Sequence, residues 1–439
     1  MASNNSDTES SVATALSRRG MLTKLGLAGA VGLAGCTGGD GSGDGGGSGG
    51  GGDGPVNVGF VQQTSSQWGF LQPAITQAEK TAVQQVNDAG GPLGRELDVT
   101  FRDTGLDPTT YREVVQQFIN NDGAVAIGGG GSTEISAQRD WVSDLGVPVI
   151  SNSAGGVTPT FGGDNLTPED VSDDDWFWRT KLMDKANVEG IVLQVVENGI
   201  ETMGLLSGTA EGERSWIEDF TEAFEEQGGE VVQVVETESE QTSYQAELSR
   251  LFEADFDAWG MALGLADGTT VLREWANAGY GKQVVLNNGY FQPQTIENVG
   301  EAAEGAWVAA ASPEGPGYDQ FKSAYDEMGD EDINPWATPG YDAVNVIALA
   351  IERAGTTDPV EIEKNIGPVT REGGPEVYTF EEGQTALEEE GECSYVGAAT
   401  SCSFTENGLV LAPITINEIS PDGFEEVNTV SEEEVRETI

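Results

Sequence analysis

The sequence predicts an α/β protein built as two doubly wound, parallel-sheet lobes joined by a hinge. Three observations carry that expectation. Short apolar runs alternate with stretches of helical period along nearly the whole chain, which is the pattern of strand–helix–strand units. Glycine and proline punctuate the junctions. The rhythm restarts near Trp176-Phe177-Trp178-Arg179, and of the 439 residues about 385 follow a low-complexity leader, too many for one ordinary core.

The first strand is Val56-Asn57-Val58-Gly59-Phe60-Val61, which runs into polar Gln62 to Gly69. The next helix carries Leu71, Ile75, Ala78, Ala82 and Val86 on one face, and Asn87-Asp88-Ala89-Gly90-Gly91-Pro92 stops it. Leu97, Val99 and Phe101 alternate as a strand, and Val114, Val115, Phe118 and Ile119 stripe the following helix. Val125-Ala126-Ile127 leads into Gly128-Gly129-Gly130-Gly131-Ser132-Thr133. Val147-Pro148-Val149-Ile150 leads into Ser151-Asn152-Ser153-Ala154-Gly155.

After the restart, strands are expected over 203–206, 231–235, 259–263, 284–286 and 306–311. Trp216, Phe220 and Phe224 line one helix, and Val344, Ile347, Ala348 and Ile351 face inward on the helix 341–354. The first lobe is expected to comprise 56–178 plus about 307–375, and the second 179–306 plus about 376–430.

Ahead of the first strand, Ser17-Arg18-Arg19-Gly20-Met21-Leu22-Thr23-Lys24 precedes an apolar stretch, Leu25 to Gly35, and then Cys36. That order is a secretory signal over 1–36. The stretch is shorter than the ~20 residues of a membrane span. Leu33-Ala34-Gly35-Cys36 looks like a lipobox and the arginine pair resembles a Tat signal. Together they imply export of a folded chain with lipid on Cys36. From Thr37 to Pro55 nearly every residue is Gly, Ser or Asp, which reads as a tether over 37–55. The soluble part is therefore expected outside the cell, held at the outer face of the membrane.

Seventy-five acidic residues oppose twenty basic ones, a formal charge of −55. Such a chain is tolerable where molar salt cuts the Debye length to about 3 Å, so a salt-adapted source is expected. With 37% hydrophobic residues and nine tryptophans it has the means to form cores. No basic patch exists to neutralise phosphates, which excludes nucleic acid as a partner.

There is no histidine. Ser-His-Asp and Cys-His catalysis and His-ligated zinc are thereby excluded. The glycines at 128–131 fail the dinucleotide frame, because Thr133 stands where the third glycine belongs, and no Walker lysine follows. No cofactor or metal is expected, and the chain is read as a non-enzyme; carboxylates are too abundant for any pair to signal glycoside hydrolysis. Cys393 and Cys402 bracket a short turn-rich stretch and are expected to form a disulfide outside the cell, with two free thiols the alternative.

In doubly wound sheets ligands sit beyond the carboxyl ends of the strands. Gln62 to Gly69, Gly131 to Glu134 and Ser151 to Val157 fit that position. They offer hydroxyls and bare backbone, suited to a small polar or anionic ligand or to tight capped turns.

The order of these segments resembles the branched-chain amino-acid and amide group of ABC-transporter solute-binding proteins, with the type I periplasmic-binding fold. The resemblance spans about Val56 to Ala354. It rests on Trp68-Gly69, on Asn87 to Gly94, on Asp103 with Asp107-Pro108, on Ile127-Gly128 with Ser132-Thr133, and on Gly146 to Ser151. Glu304-Gly305 and Tyr341-Asp342-Ala343 extend it.

It implies a monomeric clamp that closes on one solute and presents it to permease and ATPase subunits. Ser132 and Thr133 would bond a carboxylate or amide oxygen, Ala154 and Gly155 would bring backbone groups, and Trp68 would wall the pocket. Relatives that bind amino acids place an acid in the second lobe near the turn written here Leu286-Asn287-Asn288-Gly289-Tyr290. This chain has Asn288 there and no acid, which leaves Asp267 to supply the charge or to cap the next helix. A branched-chain amino acid, an amide, urea or a short carboxylate is the expected ligand; a sensory module reporting to a receptor is the alternative role.

Overall fold

The computed structural model describes residues 54–156, 176–311, 315–371, 373–400, 402–404 and 408–438. Cys36, the leader and most of the tether lie outside the described residues.

Two sheets organise the chain. The first has five strands, β1 (Val56–Gln62), β2 (Leu97–Asp103), β3 (Ile127–Gly128), β4 (Val149–Ser151) and β5 (Phe177–Arg179), in the order β2-β1-β3-β4-β5 and parallel throughout. Val58 and Phe60 pack on one face and Val61 on the other, as expected for a sheet covered on both sides. The helices Gln72–Asp88 and Ala337–Ala354 cover one of those faces.

The second sheet contains β6 (Thr202–Ser207), β7 (Glu230–Glu236), β8 (Ala258–Ala262), β9 (Gln283–Leu286) and β10 (Trp307–Ala311), all parallel. A small two-stranded sheet follows in the chain, β11 (Glu376–Val377) with β12 (Ser394–Tyr395). The hairpin β13 (Ile414–Ser420) and β14 (Gly423–Val430) then adds to β10 in antiparallel sense. The full order is β14-β13-β10-β9-β8-β6-β7. The doubly wound architecture stands, with an antiparallel edge on the second sheet.

The lobe boundaries need two corrections. β10 was expected to open the first lobe's second segment, yet it pairs with β9 in the second sheet. Residues 376–404 were expected in the second lobe, yet Val377, Phe380, Ala386, Tyr395 and Phe404 pack into the first lobe's core. The chain leaves the first lobe by Leu182, leaves the second after Ala311 and re-enters it between Val410 and Leu411, since Leu182, Ala309 and Leu411 belong to the second core while Val410 belongs to the first.

The expected disulfide is also corrected. Cys393 and Cys402 are free thiols, both buried. Their sulfurs are held by different partners: Cys393 Sγ lies 3.8 Å from the Val369 carbonyl, while Cys402 Sγ takes the Thr400 hydroxyl at 3.7 Å. Cys402 belongs to a wall around Asp342, whose carboxylate accepts from the Tyr395 hydroxyl and from the Ala398 and Ala399 amides at 2.8–2.9 Å.

Candidate functional site

A cavity of about 110 Å³ lies where strand carboxyl ends of both sheets converge. Its first-lobe side comes from three strand exits. Gln63 follows β1, Ser132 and Thr133 start the helix Ser132–Ala137 after β3, and Ser153 follows β4. These groups hold one another. Gln63 Nε2 donates to Ser153 Oγ at 2.7 Å, Ser153 Oγ donates to the Gly130 carbonyl at 3.1 Å, and Ser132 Oγ accepts from Gly156 N at 3.0 Å.

Glu134 fixes the Ser132–Thr133 turn. Its carboxylate reaches back to the Gly131 amide at 2.8 Å and receives the Thr104 hydroxyl. Burial pushes its pKa up to about 7. The preceding glycines are needed by the turn, since Gly129 and Gly130 have φ of 84° and 95°.

The second lobe contributes Asp184 at the start of the helix Asp184–Glu197, Glu213 in the helix Glu211–Glu226, and Asn287, Asn288 and Gly289 after β9. Apolar walls are Trp68, Leu71, Ile75, Leu106, Trp216 and Trp336. Glu213 accepts from the Ala210 amide at 3.1 Å and the Gly264 amide at 3.0 Å, and burial pushes it up to about 7. Asn287 Oδ1 is buried with no hydrogen-bond partner among the described residues.

Two contacts join the lobes beside the cavity. Gln67 Nε2 meets Glu213 Oε1 at 3.5 Å, and Ser136 Oγ meets Glu211 Oε1 at 3.4 Å. The hinge side is a tight polar cluster. Lys181 Nζ donates to Asp184 Oδ1 at 2.6 Å and to the Leu182 carbonyl at 3.2 Å, and stands 5.6 Å from the Trp336 ring centroid. Asn288 Nδ2 donates to the same Asp184 oxygen at 3.0 Å.

Trp68, Ser132, Thr133 and Asn288 line the cavity. Ala154 and Gly155 stand behind it. The Ala154 amide is bonded to Ser151 Oγ and its carbonyl to Arg179, while the Gly155 carbonyl takes the Asp184 amide at 2.8 Å. Gly155 has a different purpose: a Cβ there would lie 2.3 Å from Lys181 Nζ and 2.4 Å from the Asp184 carboxylate.

Asp267 is away from the cavity. It lies in the first turn of the helix Leu265–Ala278 and accepts from the Glu240 amide at 3.0 and 3.2 Å, so its charge is spent on a neighbouring loop. Lys181, Asp184, Glu213, Trp216 and Trp336 were not foreseen. The available signal was a base and an acid three residues apart immediately after the chain's restart, in a sequence with few bases.

A family model described as periplasmic binding protein matches residues 55–375. The chain belongs to that family. It is a binding protein rather than an enzyme. A leucine-, isoleucine-, valine-, threonine- and alanine-binding protein of Pseudomonas aeruginosa is 24% identical over 315 residues, 68% of this chain and 77% of that protein. A leucine-binding protein of Thermotoga maritima superimposes with a TM-score of 0.71 at 18% identity, covering 86% of this chain and 99% of the other. An R. palustris solute-binding protein in complex with benzoate gives 0.70 at 14% identity, covering 86% and 97%. These structural likenesses establish the shared fold.

Proposed function

We propose that this protein is the substrate-binding subunit of an ABC importer, taking a branched-chain amino acid or similar small polar solute between its lobes. The observation that carries the reading is the cavity itself. Gln63 and the hydroxyl residues Ser132, Thr133 and Ser153 of one lobe stand opposite Asp184, Glu213 and two asparagines of the other, between apolar walls. Such an enclosure holds the polar ends of a small solute and buries its apolar body. The aspartate after β5 offers the charge that the asparagine turn does not, so an ammonium has a partner in Asp184. The names of the Pseudomonas and Thermotoga relatives agree with an amino-acid ligand.

Lipid on Cys36 and the tether would keep the clamp beside its permease. The acidity fits a salt-rich exterior, and no helix among the described residues is long and apolar enough to cross a membrane.

A thermal-shift screen in molar salt tests the reading. Leucine, isoleucine, valine, isovaleramide, urea, isovalerate and benzoate are added singly. A solute at a hundred times its Kd adds about 2.7 kcal/mol. A flat response to every amino acid, amide and carboxylate sinks the proposal. Cys36→Ala is expected to release the protein from the membrane, and retention there would refute the anchor.

A further inference from the structure

The chain carries −55 charges, yet the hinge end of its cavity gathers two buried bases around one acid. Lys181 is 6% exposed and Arg179 is wholly buried. Arg179 Nη1 donates to the Ala154 and Gly156 carbonyls at 3.0 and 2.9 Å, directly behind the loop that borders the cavity. Its Nε and Nη2 have no hydrogen-bond partner among the described residues, and Asp184 is the acid whose charge acts on it. Lys181 spends two of its three N–H donors on Asp184 and Leu182, and it is the one base among the described residues that line the cavity. A desolvated base with a donor to spare, beside a second base with two unpaired donors among the described residues, attracts an anionic oxygen more strongly than a neutral one.

We infer that Lys181, backed by Arg179, is the anion-recognition group of the cavity, so that the solute carries a carboxylate and neutral amides and urea are rejected. This rests on the clamp reading above and narrows its ligand class. The Lys181–Asp184 pair limits the strength of the attraction, because Asp184 competes with the ligand for the same ammonium. Removing the acid therefore has the opposite effect from removing the base, which a purely structural ion pair would not show.

Calorimetric titration of the full chain in molar salt, with shape-matched probes, tests this. Isovalerate and benzoate are expected to bind at least roughly tenfold tighter than isovaleramide and benzamide, the scale of one charge-assisted hydrogen bond. Lys181→Met should cancel that ratio and Lys181→Arg should keep it. Asp184→Asn should tighten isovalerate, which has no ammonium to lose.

Amides binding as well as acids, an unchanged ratio in Lys181→Met, or equal weakening by Lys181→Met and Asp184→Asn would each overturn the inference. If Lys181→Met does not fold, the direction of the Asp184→Asn change decides. Binding of leucine or an amide with no response to either acid defeats this inference and spares the clamp. No binding of leucine, acid or amide defeats both.

Discussion

The indole of Trp68 lies on Gly289, where a Cβ would stand 3.0 Å from the ring. Trp68 belongs to the first lobe and Gly289 to the second, so this contact exists only when the lobes meet. The same Cβ would lie 3.2 Å from Asn287 Oδ1. The missing side chain at 289 is thus what lets the tryptophan seal one wall of the cavity.

Gly289→Val should hold the lobes apart. Overpacking of this kind costs about 1–3 kcal/mol, which weakens solute binding roughly 5- to 150-fold if the strain is felt only on closure. Small-angle scattering of the solute-saturated variant should show a larger radius of gyration than the saturated parent. Equal radii and equal affinities would show that Trp68 can move aside.

Asp342 anchors the helix Ala337–Ala354 to the Ala398–Ala399 turn through three hydrogen bonds to a fully buried carboxylate. Burial raises its pKa to about 6 despite those donors. Asp342→Ala strands two amides and a tyrosine hydroxyl, and should lower stability by about 3 kcal/mol or more. Denaturant unfolding measures this directly. A loss under 1 kcal/mol, or about that size, would mean water replaces the carboxylate at little cost.

Thiol chemistry distinguishes the two states of Cys393 and Cys402, which are 2% and 0% exposed. In a Cys36→Ala chain purified without reductant, a thiol reagent should label neither cysteine in the folded protein and both in denaturant. Reductant should leave the melting temperature unchanged. Labelling that requires prior reduction would show that the two sulfurs do bond.

Strand and helix order was legible because buried parallel strands are continuous apolar runs bounded by glycine and proline. Ser132 and Thr133 were legible for a related reason: a strand exit followed by hydroxyls must lie at the sheet's carboxyl edge. Asn288 was legible in the same way, but Lys181, Asp184 and Trp336 were not, because they meet across chain crossings that local pattern does not encode. Asp267 misled because an acid in the first turn of a helix looks the same whether it faces a cavity or a neighbouring loop. β10 misled because a short apolar strand does not say which sheet it will join.

Glu79 gives the pH response of the fold. It is fully buried beneath the first-lobe site, accepting from Gln62 Nε2 at 2.8 Å and Asn152 Nδ2 at 3.0 Å, and burial pushes its pKa up to about 8. Glu134, Glu189, Glu213 and Asp219 are likewise raised to about 7, chiefly by burial. An acid whose folded pKa is raised holds its proton more tightly when folded than when unfolded. The stability it lends is complete below the ordinary value of 4.5 and is lost as pH rises through about 8. Melting temperature should therefore fall steadily from about pH 5 to pH 9, each such group adding up to ~1.4 kcal/mol per unit at the steepest. Glu79→Gln removes one proton from that exchange while keeping a side chain of the same shape, so its melting curve should decline less steeply over the upper half of the range. A parent protein that gains stability toward pH 9 would mean that these carboxyls are ionised and hydrated in the folded state.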